Sequence, residues 1–237
     1  MKNLKLKICG MKYEDNINAV SELQPDYLGF IFYRKSSRFF DSVIPKIPQD
    51  IKKTGVFVNS SLDDIMQKIQ LHDLQAIQLH GNESFAFCKE LKERCRIERS
   101  RNAHDEMLNQ VQHDDFNLHV APIEIIKVFS IKDTFDFEVL KPYEPFVDYF
   151  LFDTKGKLPG GNGVTFDWKV LEHYPSTKPF FLSGGIGLET ITKLNDFVKS
   201  NASTYCYALD VNSKFEIVPG LKNIEDLKVF KETIIKK

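Results

Sequence analysis

Short apolar runs alternate along this chain with segments in which apolar residues recur every three or four positions. The runs of extended character span 4–8, 26–32, 54–58, 75–79, 125–129, 148–152, 179–182 and 205–211. Between the third and fourth runs, Ser61–Leu71 collects its apolar residues on one helical face and carries Asp63 and Asp64 near its start, where acidic residues stabilise a helix. Strands that alternate with helices in this way indicate a parallel sheet.

The segments with helical periodicity are Glu14–Leu23, Ser61–Leu71, Glu83–Arg94, Thr134–Leu140, Phe166–His173, Leu188–Lys199 and Ile224–Ile235. The weakest candidate is 41–53, because Pro45 and Pro48 interrupt it. Eight strands are the number that closes a (β/α)8 barrel, and a chain of 237 residues suits one such barrel as a single domain, 1–237. A doubly wound open sheet is the alternative.

One segment, 96–122, interrupts the alternation. It is rich in Asn, Asp and Gln and contains His104, His113 and His119. A metal site is one interpretation, but the histidines lack a regular ligand spacing, and we predict no metal. The other interpretation is a polar, irregular insertion between a helix and the fifth strand. In a barrel such a connection lies on the N-terminal (bottom) face, away from the chemistry.

Composition and charge narrow the classes of function. The net charge of −1 gives no basic field for nucleic acid. No apolar run approaches the roughly 20 residues of a membrane span, and the start of the chain has no apolar region of signal-peptide length. The four cysteines form no CxxC pair. We therefore expect a reduced, cytoplasmic protein whose partners are small molecules.

Two strands end at side chains that can move protons. The run before Asp153 stops at this carboxylate, and a glycine-rich loop follows at once. The first run ends at the thiol of Cys9. In a parallel barrel the C-terminal strand ends meet on one face, so the two residues suggest an acid/base pair. The alternatives are a small core residue for Cys9 and a loop cap for Asp153.

Glycines after the seventh strand predict an anion site. Ser183-Gly184-Gly185-Ile186-Gly187 opens a helical segment, where backbone N–H groups and the helix dipole attract a phosphate. The segment Asp210–Ser213 follows the eighth strand, and the loops after strands seven and eight commonly bind phosphate in barrels. A tight turn without a ligand is the alternative.

Two further side chains follow strands on the same face. Arg38 comes after the second strand, and its guanidinium can hold a carboxylate through two parallel hydrogen bonds. His80 ends the fourth strand and is a candidate for lining the pocket. The alternatives are a surface charge for Arg38 and a local hydrogen bond for His80.

Taken together, these residues resemble the phosphoribosylanthranilate isomerase family. The matching blocks occur in family order and cover almost the whole chain outside 96–122. They are Lys7-Ile8-Cys9-Gly10, Asp26–Phe32 with Arg38, Gly55–Asn59, Gln78–Glu83, Phe152-Asp153-Thr154 with Gly160–Gly163, Ser183–Ile186, and Leu209-Asp210-Val211 with Pro219-Gly220. The resemblance implies a (β/α)8 barrel.

The resemblance also implies an activity, an Amadori rearrangement of N-(5-phosphoribosyl)anthranilate in tryptophan biosynthesis. Asp153 matches the general acid and Cys9 the general base. Arg38 matches the residue that binds the anthranilate carboxylate. The phosphate region corresponds to Gly184, Gly185, Asp210 and Ser213, and no metal or redox cofactor is needed. We expect a monomer, with a homodimer as the alternative.

One departure and three other functions stay open. Lys214 stands where the family usually has glycine, so it either strains the backbone or adds a positive charge near the phosphate. A related isomerase of histidine synthesis works with two aspartates, and an indole-glycerol-phosphate synthase-like lyase needs a lysine at the first strand tip; Cys9 argues against both. A phosphate-binding barrel without catalysis is the non-enzymatic alternative.

Overall fold

Eight parallel strands close into a barrel. A computed structural model describes residues 4–109, 122–132, 134–154 and 165–234. The strands are β1 (Lys5–Cys9), β2 (Tyr27–Ile31), β3 (Lys52–Phe57), β4 (Ala76–Leu79), β5 (Glu124–Ile131), β6 (Tyr149–Thr154), β7 (Phe180–Leu182) and β8 (Cys206–Val211). Each pairs with its neighbours in sequence, and β1 pairs with β8. The predicted (β/α)8 barrel is confirmed, and the open-sheet alternative is wrong.

The helices are α1 (Glu14–Glu22), α2 (Leu62–His72), α3 (Phe85–Asn109), α4 (Ile191–Lys199) and α5 (Ile224–Ile234). Short 3₁₀ turns stand at Phe137–Leu140 and Trp168–His173, where longer helices were predicted, whereas the predicted helix Leu188–Lys199 is present as a 3₁₀ turn, Leu188–Thr190, that leads directly into α4. The first two segments are too short to offset the cost of nucleating an α-helix. Residues 41–53 form no helix, and the two prolines account for this. After β8 a small hairpin is formed by β9 (Glu216–Val218) and β10 (Leu221–Lys222).

The start of the predicted insertion is helical, which corrects the expectation of an irregular segment. Helix α3 continues through 96–109 to Asn109. Arg94 and Arg96 form ion pairs with Glu90 and Glu93 one turn earlier, and such pairs support a helix whatever its polarity. Of the three histidines, one lies within α3 and the other two fall outside the described residues. The bottom-face position of the insertion stays a prediction.

Side chains of each strand alternate between two apolar regions. On β6, Phe150 and Phe152 point outward into the large core between barrel and helices, whereas Leu151 points into the barrel. Inside, Leu151 packs in a smaller cluster with Phe181 and Ala208. The abundant phenylalanines serve mostly the outer core, where Phe152 and Phe180 lie 5.2 Å apart between ring centroids. The barrel is therefore a filled core, not a channel.

A ring of tyrosines closes the bottom of the barrel. The Tyr27 hydroxyl donates to Glu124 at 3.0 Å, and Lys52 Nζ lies 2.6 Å from the other oxygen of this carboxylate. The rings of Tyr149 and Tyr207 stack at 4.7 Å. With the bottom closed in this way, the barrel offers a cavity at the opposite, C-terminal end of its strands.

Three general properties of the described residues bear on the predicted classes. None of their helices combines the length and the apolar character needed to cross a bilayer. No disulfide joins the four cysteines, which all lie within the described ranges and are all buried. Within the same ranges no group of three or more His, Cys, Asp or Glu side chains is arranged to hold a metal ion.

A buried histidine ends α2. The His72 ring is 4% exposed and stacks on Phe32, with ring centroids 5.1 Å apart. Neither ring nitrogen has a hydrogen-bond partner among the described residues. Burial lowers the pKa of His72 to about 4, and the nearby charges of Lys68 and Lys53 act in the same direction. The folded protein therefore holds this imidazole neutral.

We predict that His72 makes the fold sensitive to mild acid. An unfolded histidine binds a proton below about pH 6.5, whereas folded His72 does so only near pH 4. The unfolded state binds more protons between these values, so stability is lost as the pH falls through this window. His72→Phe should flatten the pH dependence of the urea unfolding free energy between about pH 7 and pH 5. The same substitution at exposed His173 should leave it unchanged, and equal slopes for all three proteins would contradict the prediction.

Candidate active site

All eight predicted site residues line one cavity at the top of the barrel, together with Asn212 and Lys214. Their positions follow from strand geometry, because the side chain at each inward-facing strand end points into the same opening. Cys9 ends β1 and Asp153 lies near the end of β6, three strands away around the ring. The structure therefore brings the whole predicted set together.

The carboxylate of Asp153 is sheltered and oriented. One oxygen accepts the backbone N–H of Thr154 at 2.9 Å. The other lies 3.5 Å from Nε2 of His80, which ends the fourth strand. Asp153 is buried and His80 is half-buried at the cavity wall. One oxygen is thus held by the backbone while the other faces a neighbour that donates or accepts a proton.

A buried ion pair lies beneath Cys9. Lys7 precedes Cys9 by two residues on the inward face of β1, and its Nζ donates to Asp210 Oδ1 at 2.7 Å. The second oxygen of Asp210 accepts the Ser183 hydroxyl at 3.3 Å. Burial raises the pKa of the Cys9 thiol, and the positive charge of Lys7 opposes that rise while Asp210 adds to it. Lys7 was not predicted; its one sequence signal is a charged residue at an inward position of an apolar strand.

Asp210 lines the cavity as predicted, but its carboxylate already has partners within the protein. Its carboxylate is occupied by Lys7 and Ser183, both nearly inaccessible to solvent. A carboxylate also repels a phosphate. Whatever Asp210 contributes to anion binding therefore comes through its neighbours and the shape of the loop, not through its own oxygens.

The loop after β7 has a backbone conformation that favours glycine. Gly184 and Gly185 both have positive φ, +90° and +67°, which L-residues rarely adopt. Among the described residues, their backbone N–H groups make no hydrogen bond. Ser213 begins a 3₁₀ turn on the other side of the cavity. Lys214 has no positive φ, so the strain that its substitution for glycine suggested is absent, and its Nζ pairs with Glu189 at 2.6 Å.

Arg38 is held in place by a residue that the sequence did not reveal. Its Nε donates to both oxygens of Glu216, at 2.9 and 3.0 Å, and its Nη2 donates at 2.7 Å. Glu216 opens the β9–β10 hairpin, far from Arg38 in sequence. No motif or periodic pattern that we recognised in the sequence marks Glu216. Only the folded structure identifies it as the partner of Arg38.

Comparison with known proteins agrees with this geometry. A family model described as N-(5'-phosphoribosyl)anthranilate isomerase matches residues 6–122 and 110–233. The chain belongs to this family. It is accordingly an isomerase of tryptophan biosynthesis with a (β/α)8 barrel fold.

Curated relatives and solved structures of this isomerase family extend along the whole chain. The isomerase of Parabacteroides distasonis is 37% identical, with 97% of this chain and 93% of the relative aligned. The isomerase of Phocaeicola vulgatus is 34% identical, with 92% of this chain and 91% of the relative aligned. The crystal structure from Thermotoga maritima superposes with a TM-score of 0.71 at 26% identity, covering 98% of each chain. The Thermus thermophilus structure superposes with a TM-score of 0.72 at 20% identity, covering 97% of this chain and 98% of that one. At this identity the likeness is one of fold.

We predict that the two members of the buried pair shift the Cys9 thiol in opposite directions. Lys7→Met removes a positive charge and should raise the pKa of Cys9 further, whereas Asp210→Asn removes a negative charge and should lower it. The measurement is the pH dependence of alkylation by iodoacetamide, followed by mass spectrometry of the Cys9 peptide.

Each single substitution also leaves a buried charge unpaired, which costs several kcal/mol, so folding must be verified by circular dichroism. The double variant Lys7→Met/Asp210→Asn removes both charges and serves as the matched control, with an intermediate titration. Shifts of the same sign in both single variants would mean that general damage, not charge, had changed the thiol.

Proposed function

We propose that the chain converts N-(5'-phosphoribosyl)anthranilate to 1-(o-carboxyphenylamino)-1-deoxyribulose 5-phosphate by an Amadori rearrangement, with Asp153 as general acid and Cys9 as general base. The supporting observation is that a sheltered carboxylate and a buried thiol line one cavity with an oriented arginine and a glycine cradle. In this proposal the carboxylate is the proton donor, the thiol is the proton acceptor, and the arginine and the glycine cradle bind anions. The substrate has an atom that takes up a proton, an atom that loses one, and two anionic groups, a carboxylate and a phosphate.

The first step requires a proton on Asp153. The acid donates it to the furanose ring oxygen, the C1–O bond breaks, and the lone pair of the anthranilate nitrogen forms an iminium. The backbone N–H of Thr154 fixes one oxygen of Asp153, and this leaves the other for the proton that moves. His80, 3.5 Å away, is placed to keep that oxygen directed into the cavity.

The second step removes the proton from C2 of the sugar. Cys9 accepts it, and the C–H electron pair moves towards the iminium nitrogen to give an enolamine, which tautomerises to the ketone. The substrate's own nitrogen acts as the electron sink, so this chemistry calls for no metal or redox cofactor. Lys7 supports the thiolate by opposing the effect of burial.

The ends of the substrate are assigned to the two anion sites. The phosphate lies at Gly184 and Gly185, whose backbone N–H groups are available, and Ser213 faces it from the loop after β8. The carboxylate lies at Arg38. A solved structure of the same family, 24% identical with a TM-score of 0.67, is a complex with the reduced product of this reaction. That ligand carries both groups, a phosphate and a carboxylate.

We propose a monomer in the cytoplasm, with a homodimer as the alternative. A solved structure at 24% identity is described as generated monomers of the dimeric isomerase from Thermotoga maritima. Both states are therefore compatible with this barrel.

The acid/base assignment predicts a specific loss of turnover. Cys9→Ala and Asp153→Asn should each lower kcat roughly 10²-fold or more, because each removes a proton-transfer group. The assay is turnover of freshly generated phosphoribosylanthranilate, and Cys206→Ala, a buried cysteine on β8 whose side chain faces the outer core, is the matched control. Near-normal turnover in a folded Cys9 or Asp153 variant would remove that residue from the mechanism. No turnover by the unaltered protein would favour the non-catalytic barrel.

The phosphate assignment predicts competition by inorganic phosphate. Phosphate should inhibit competitively, and sodium chloride at equal ionic strength should inhibit much less, because screening alone does not occupy the loop. Gly185→Ala should weaken both phosphate inhibition and substrate binding, since alanine at φ +67° costs about 1 kcal/mol and the loop relaxes away from it. Unchanged inhibition in this variant would place the phosphate elsewhere.

A further inference from the structure

The guanidinium of Arg38 has two edges, and only one of them is in use. Nε and Nη2 form the side-on edge and both donate to Glu216. The end-on edge, formed by Nη1 and the second hydrogen of Nη2, makes no hydrogen bond within the part of the chain that the structure describes. The side chain is 16% exposed and lines the cavity. An arginine can bind a carboxylate on each edge, so the ion pair with Glu216 leaves a complete binding face.

Glu216 is itself rigidly held. Lys222 Nζ lies 2.7 Å from its Oε1, and the backbone N–H of Gly220 donates to the same oxygen at 3.1 Å. Burial raises the pKa of the Glu216 carboxyl, but the Arg38 hydrogen bond and the Lys222 charge outweigh burial and leave this pKa below its usual range. The carboxylate is therefore charged and fixed before any substrate arrives.

The supporting contacts continue to the first helix. Asn16 on α1 donates through Nδ2 to the backbone carbonyl of Lys222 at 2.9 Å and accepts its N–H at 2.7 Å. Lys222 Nζ also donates to Asn212 Oδ1 at 2.7 Å, at the cavity wall. These contacts anchor the β9–β10 hairpin, and with it Glu216, to the barrel.

The stem of Arg38 has its place because residue 10 has no side chain. A Cβ added to Gly10 would lie 2.8 Å from Cδ of Arg38 and 2.7 Å from Oδ1 of Asn212. Gly10 also has a φ of +76°. The arginine stem thus lies directly against the backbone after β1, at the residue that immediately follows Cys9.

Lys222 shares the carboxylate of Glu216 with Arg38 and so leaves part of the guanidinium for a ligand. Burial lowers the pKa of Lys222, and the negative charge of Glu216 opposes that effect. Lys222 has no exposed side chain and its ammonium is used by Glu216 and Asn212. Arg38 lines the cavity, and its end-on edge is the part of the guanidinium that Glu216 does not use.

We propose that Glu216 is a positioning residue, which holds the side-on edge of Arg38 so that the end-on edge presents two parallel N–H donors to the carboxylate of the substrate's aromatic ring. This proposal rests on the proposed function. It makes the β9–β10 hairpin part of the specificity of the enzyme for an aryl amine that carries an acidic group. A lysine at position 38 has a single ammonium, which would remain with Glu216.

The test compares two ligands that differ in one group. The first is the reduced product analogue with its ring carboxylate, and the second is the corresponding anilino compound without it. The unaltered protein should prefer the first. Arg38→Met and Glu216→Gln should each reduce this preference about 10-fold or more, the size expected for a bidentate charged hydrogen bond. The glutamine turns a donor towards the guanidinium and breaks the side-on pairing.

Comparison of the double variant with Arg38→Met tests whether Glu216 acts through Arg38. If Glu216 acts through Arg38, Arg38→Met/Glu216→Gln should bind the two ligands no more poorly than Arg38→Met alone. In turnover, Glu216→Gln should raise KM with little change in kcat, and Glu216→Asp, which keeps the charge, should recover part of the preference. Glu138→Gln, which removes one partner of an exposed ion pair with Lys141, is the matched control and should change nothing.

The outcomes separate the two proposals. If Arg38→Met keeps the full preference for the carboxylated ligand, the assignment of Arg38 to the substrate carboxylate is wrong. If Arg38→Met loses the preference but folded Glu216→Gln and Glu216→Asp both keep it, only the positioning role is wrong. An equal loss of affinity for both ligands in the Glu216 variants would show a structural role and would also overturn the positioning proposal.

Discussion

The pairing of β1 with β8 closes the barrel, and the rest of the structure depends on this seam. Lys7 and Asp210 are direct partners in its register and are joined by a buried ion pair. A buried pair of charges is stable only when both charges are present. The same two side chains therefore stabilise the pairing of β1 with β8 and set the electrostatics beneath Cys9. The strand that completes the fold is thus also the strand that sets the charge environment of the proposed base.

Polar groups inside the barrel lie mainly at its two ends along the barrel axis. Tyrosines and one ion pair close the bottom, an apolar layer around Leu151 and Phe181 fills the middle, and ionisable side chains occupy the top. The apolar layer lies between the two polar ends. Because of this layer, the charges at the top act on one another through a medium of low polarity, where they are stronger than in water.

The sequence predicted the strands well because strands buried on both faces read as continuous apolar runs, and the site residues because strand ends mark the active face. Helices were less secure. The segment 41–53 forms no helix because its prolines interrupt it. Helix α3 extends beyond Arg94 because ion pairs one turn apart stabilise a polar helix. Glu216 and Lys222 could not be predicted at all, since their partners are set by tertiary packing and no local pattern marks a charge that will be buried.

Gly184 lies directly against Thr154: a Cβ at this glycine would fall 2.3 Å from the threonine hydroxyl. The N–H of Thr154 in turn holds the carboxylate of Asp153. The cradle proposed for the phosphate and the support of the proposed acid are therefore one mechanical unit. A larger side chain at position 184 would displace Thr154 and, with it, the carboxylate of Asp153, so the proposed phosphate site cannot be reshaped at Gly184 without disturbing the proposed acid.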